Sequence, residues 1–108
     1  MKVIDLVEKY GLEAVVLASP DREIVTGYCG DLLSVVMSSA PTDSAWLTVM
    51  NNVNVTAVAS LTDVSCVIIC GVSQIDEMLI NKAKGNGVNV LSTDIDVYEM
   101  AVKLSKCL

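Results

Sequence analysis

The side chains that could do chemistry are few, and their spacing argues against most reactions. Four cysteines, Cys29, Cys66, Cys70 and Cys107, and 13 acids stand in a 108-residue chain with no histidine. Without an imidazole there is no Ser/His or Cys/His relay, and no Gly-x-Ser-x-Gly elbow lifts a serine out of a sheet. Cys66 and Cys70 are four apart in a stretch that reads as a strand, which separates them by roughly 13 Å at about 3.3 Å per residue. That is beyond the reach of a disulfide or of one small metal site. The four are expected to be reduced thiols packed as small hydrophobes, with no metal and no cofactor. Asp21, Asp31, Asp63 and Asp94 are the acids to weigh for proton transfer, yet each falls where a turn or a helix cap already wants it. An enzyme using Cys29 or Asp31 would need a reactive thiol or a coupled acid pair, and no pattern singles one out. The expectation is a protein without catalytic residues.

Phosphate chemistry is equally unsupported. A P-loop needs a glycine-rich turn followed by Lys and Ser/Thr, and none is present. Gly85-Asn86-Gly87 ends a helical pattern instead of opening one, and no dinucleotide fingerprint follows the first strand. The net charge is -6 and the seven basic residues, with Arg22 the single arginine, form no stripe, so nucleic acid is not an expected partner. Arg22 is expected to clamp an anion or, more simply, to pair with Asp21, Glu23 or a carbonyl. Residues 44–62 are uncharged and long enough for a bilayer, but Thr48, Asn51, Asn52, Asn54, Thr56 and Ser60 would leave too many polar groups unmet in lipid. No membrane span and no signal peptide are read, and a cytoplasmic location is expected.

The elements that would position any site come from the hydrophobic periods. Residues 45–91 read as strand, helix, strand, helix, strand, and two successive crossovers specify a parallel sheet with helices packed on it. The helix at residues 53–64 is ambiguous, because Val53, Val55, Ala57 and Ala59 alternate while Ala57, Val58, Leu61 and Val64 recur helically. A helix is required there because the flanking strands otherwise have no crossover. Upstream, residues 2–10 give a helix ended by Gly11, and residues 13–18 and 24–29 give strands. Residues 32–39 give a helix that Asp31 caps and Pro41 stops. Ser73 with Asp76, and Thr93 with Asp96, fit capping boxes for the last two helices. The expected fold is α/β: a three-layer α/β/α sandwich with a mostly parallel sheet of about five strands, in one domain spanning residues 1–108.

Several short runs also carry a resemblance. Asp21-Arg22 with Thr26-Gly27, Gly30-Asp31-Leu32-Leu33-Ser34, Trp46-Leu47-Thr48, Asn54-Val55 with Ala57-Val58-Ala59, and Leu91-Ser92-Thr93 together resemble the DRTGG domain over nearly the whole chain. The chain looks like a stand-alone member, and Tyr28 stands where the family has its second glycine. The resemblance implies a sandwich similar to the N-terminal domain of HPr kinase/phosphorylase, which is non-catalytic. It also implies a regulatory or dimerising accessory role, with a partner enzyme or a CBS-type regulatory protein.

In a parallel sheet, ligands bind outside the carboxyl ends of the strands, where helix N-termini point their N–H groups outward. That rim comprises Gly30, Asp31, Asn51, Asn52, Asn54, Gly71, Ser73 and Thr93, the candidates for a small anionic or adenine-nucleotide ligand. The structural alternative is that Asn52 or Asn54, Ser73 and Thr93 cap their helices and Gly71 makes a turn. With 53% hydrophobic residues and a mean hydropathy of +0.58, the chain is apolar for its size. A homodimer is therefore expected, with Tyr28, Trp46 and Met50 as its candidate interface.

Overall fold

The computed structural model describes all 108 residues. In chain order they form α1 (Val3–Tyr10), β1 (Glu13–Val16), β2 (Thr26–Cys29), α2 (Leu33–Ser39), β3 (Ser44–Thr48), α3 (Asn54–Thr62), β4 (Cys66–Cys70), α4 (Glu77–Asn86), β5 (Val90–Thr93) and α5 (Val97–Ser105). The ambiguous valine-rich stretch is helical, as α3. Its intrinsic preference for strand loses to the need for a return path between β3 and β4, which pair in parallel.

The sheet has five strands in the order β1-β5-β4-β3-β2. β2 through β5 run parallel, and β1 joins β5 antiparallel at one edge. Three crossovers that step in the same direction across the sheet put their helices on the same face when they share one hand. α2, α3 and α4 accordingly share one core with Trp46, Val67, Ile69 and Val90. α1 and α5 cover the opposite face, over Ala45, Leu47, Ile68 and Leu91. The period-2 alternation of β3 and β4 is thus divided cleanly between two cores, and all ten of their residues are buried. Three layers result, with Cys66 and Cys70 both on the α1/α5 side and no disulfide.

Two expectations about helix starts need correction. Asp31 does not cap α2; Leu32 occupies the cap position and offers no side-chain bond. Asp76 and Asp96, not Ser73 and Thr93, cap α4 and α5, accepting from the backbone N–H groups of Leu79 and Glu99. A carboxylate takes the cap because it already lies three residues before those N–H groups and brings negative charge to the positive end of the helix dipole. In α5 the buried positions are Met100 and Leu104, with Val97 and Ala101 only half-buried.

Candidate functional site

Because β2 to β5 are parallel, the loops after them gather along one rim, and the sequence candidates converge there. Each loop is bonded to the next. Gly30 N–H donates to Leu47 O at 3.2 Å, and Trp46 Nε1 donates to Gly30 O at 2.8 Å. Asp31 Oδ1 accepts from Thr48 Oγ1 at 2.8 Å and from Val49 N at 3.0 Å, tying the end of β2 to the end of β3. Asn51 spends both ends of its amide on the next loop: Nδ2 donates to Gln74 O and Oδ1 accepts from Asp76 N, each at 2.9 Å. Gly71, at φ 72°, donates its N–H to Ile95 O at 2.9 Å, and Val72 N donates to Thr93 O at 3.3 Å. Asn52 Oδ1 accepts from Asn54 N at 3.0 Å, a local turn at the start of α3, while Asn54 itself is exposed. Thr93 Oγ1 accepts from Ile95 N at 3.4 Å.

Open space at this rim lies at its β1 end. Two adjoining grooves of about 270 and 300 Å³ share Glu13, Ser73 and Ser92 in their walls, and the second also reaches Thr93 and Asp94. The hydroxyls and carboxylates there can accept and donate hydrogen bonds to a small polar molecule. The rim's charge is one-sided. Residues 30–32, 49–54, 71–76 and 93–96 include Asp31, Asp76, Asp94 and Asp96 and no lysine or arginine.

The chain's arginine is at the opposite end of the sheet. Arg22 Nη2 sits 2.8 Å from Asp43 Oδ1 and 2.9 Å from Asp63 Oδ1, and also donates to Asp63 O at 2.6 Å. Asp43 and Asp63 hold left-handed backbones, at φ 63° and 58°, just before β3 and after α3. Burial would lower the guanidinium's pKa, but its hydrogen bonds and attraction to the two carboxylates outweigh that and raise it. Arg22 therefore pairs with Asp43 and Asp63 instead of the sequence neighbours Asp21 and Glu23, and its charge is already satisfied.

Cys29, Cys66 and Cys70 are not poised for attack. Burial pushes Cys66 and Cys70 up to about 12, and burial followed by the Asp31 charge raises Cys29. No three Cys, Asp or Glu side chains gather closely enough to hold a metal ion. No helix is long and apolar enough to cross a membrane.

Of the candidate interface residues, Trp46 is fully buried on β3, an interior strand, so it is not available to a partner. Its ring packs into the core under α2, α3 and α4, and its indole N–H finds Gly30 O within the molecule. Tyr28 and Met50 are half-buried against the α2/α3/α4 core. Tyr28 lies over Gly30, where a Cβ would stand 3.1 Å from Tyr28 Cε2 and 3.2 Å from Val36 Cγ2. The largest groove on the molecule was not read from the sequence. It is an apolar trough of about 360 Å³ between β2 and α5, lined by Gly27, Tyr28, Cys29, Leu47, Ala101 and Leu104 among others. The uncharged run of β2 was its available signal.

A family model described as DRTGG domain matches residues 11–107. No protein of curated function matches the chain. Among solved structures, the chain resembles the CBS and DRTGG domains of the regulatory region of Clostridium perfringens pyrophosphatase, complexed with the activator diadenosine tetraphosphate. The TM-score is 0.70 at 15% identity, over 95% of this chain and 45% of that one. The chain thus spans less than half the length of that structure, and the likeness concerns the fold.

Proposed function

This chain belongs to the DRTGG domain family, and from that premise we propose that it is a non-catalytic regulatory module that works as a homodimer in the cytoplasm. One observation carries the reading. Between Ile24 and Thr42 the chain holds a single charged residue, Asp31, in a protein of net charge -6. That stretch leaves Val25, Leu32, Val35 and Met37 exposed. An uncharged apolar flank on an otherwise acidic domain is a surface for a protein partner, not for a substrate. The raised pKa values of Cys29, Cys66 and Cys70 and the bonded rim support a domain that binds and reports without reacting. Sedimentation velocity over a micromolar concentration series tests this: a dimer is expected, and a monomer throughout overturns it.

A second reading, a small-ligand sensor on the rim, is favoured by the paired grooves beside Ser73 and Thr93, whose volumes suit a small molecule. A phosphate there would meet Glu13 and Asp94 and no basic side chain, so the base and ribose of an adenine nucleotide suit these walls better than its phosphates do. The pyrophosphatase region that shares the fold was complexed with a diadenosine activator. A thermal-shift panel of adenine nucleosides, nucleotides and dinucleotides is the test. A true ligand at 100 times its Kd adds about 2.7 kcal/mol, and a flat panel overturns the sensor. The module's downstream partner would be an enzyme or a CBS-type regulatory protein.

A further inference from the structure

The two edges of the sheet are built differently. β1 carries the charged Glu13 and a register shift between Ala14 and Val16, two devices by which an edge turns foreign strands away. β2 has neither. Thr26, Gly27, Tyr28 and Cys29 are uncharged, contain no proline and keep an unbroken register with β3, their one neighbour in the sheet. Gly30 N–H donates inward to Leu47 O, so by the alternation of a strand the peptide groups of Gly27 and Cys29 face away from β3.

What covers this edge must supply backbone partners, bring no charge and accept an apolar flank. A basic partner finds no free acid here, because Asp31 is spent on Thr48 and Val49. A second β2 meets every requirement. If two copies pair antiparallel about a two-fold axis at Gly27, Gly27 faces Gly27 as a hydrogen-bonded pair, the two outward peptide groups exchanging N–H···O bonds. Thr26 of each copy falls opposite Tyr28 of the other, a favourable β-branched and aromatic pair. Val25 stands just before β2 with its N–H bonded inward to Asp43 O at 3.0 Å, and its side chain, 62% exposed, falls opposite Cys29, which borders the apolar trough. Each contact is made twice, as an isologous interface demands.

We infer that β2 pairs antiparallel with β2 of a second copy of this chain about an axis at Gly27, joining two five-stranded sheets into one. This rests on the homodimer reading and specifies its interface. The test compares sedimentation equilibrium of the wild type, Val25→Lys, Cys29→Glu and an equimolar mixture of the two variants, with circular dichroism to confirm that each is folded. Both positions are exposed, so the fold is expected to survive. Each variant alone should weaken the dimer by about tenfold or more, the cost of drying an unpaired charge. The mixture should recover it, because the introduced lysine of one copy faces the introduced glutamate of the other. Variants that dimerise like the wild type, or a mixture that does not recover, overturn this interface while leaving the homodimer intact. A monomeric wild type removes both.

Discussion

Leu104 of α5 rests on Gly27 of β2 so closely that a Cβ on Gly27 would stand 2.7 Å from Leu104 Cδ2. The glycine is thus a seat for the helix that closes the second core, and the apolar trough runs beside that seat. Gly27→Ala should force Leu104 off its position and cost about 1–3 kcal/mol. Urea unfolding should show the penalty shrinking in a Leu104→Ala background, since the clash partner is then gone.

Arg22 holds together two turns that are far apart in sequence. Arg22→Gln should leave the Asp43 and Asp63 carboxylates facing each other without a cation, and cost about 1–2 kcal/mol after allowing for their partial exposure. Arg22→Lys should recover only part of this, because a single ammonium cannot reproduce the planar fork. Thermal unfolding checks it, and the difference between wild type and Arg22→Gln should narrow in concentrated salt.

Asn51 joins the loop after β3 to the loop before α4 through both ends of its amide. Asn51→Ala should free Gln74 O and Asp76 N–H and cost about 1–2 kcal/mol. Hydrogen exchange should show the Asp76 amide losing protection while the interior of α4 keeps its own.

Cys66 and Cys70 are buried thiols whose pKa values rise from 9.0 to about 12 on folding. Between these limits the unfolded chain has released protons that the native chain keeps, so stability is fully present below pH 9 and falls as pH rises toward 12. Each thiol contributes a slope of at most about 1.4 kcal/mol per pH unit. Denaturant midpoints measured across that range should fall for the wild type and flatten for Cys66→Ala/Cys70→Ala. At neutral pH a thiol reagent should reach Cys29, which is exposed, well before either buried thiol.

The layers of this fold were legible because they depend on short-range periods. Alternating Ala45, Trp46, Leu47 and Cys66, Val67, Ile68 can satisfy two cores only from the centre of a covered sheet, and the crossover requirement made α3 a helix against its own composition. That the rim loops converge followed from the same parallel arrangement. What could not be read was long-range pairing. Trp46 looked like an interface residue because its indole partner, Gly30 O, is sixteen residues away. Asp31 looked like a cap because Thr48 is seventeen residues away. Arg22 found acids 21 and 41 residues downstream, brought to it by two left-handed turns that nothing local requires. The cap assignments at Ser73 and Thr93 failed for a local reason: each motif offers both a hydroxyl and an acid, and the acid won.

The bonds that run from Gly30 through Asp31, Asn51 and Gly71 to Thr93 form a collar with no slack link. Moving one of these loops would break or strain its bonds to the next, so the β2 side of the molecule and the hollow beside Glu13 lie at the two ends of one continuous run of hydrogen bonds across the tops of four strands.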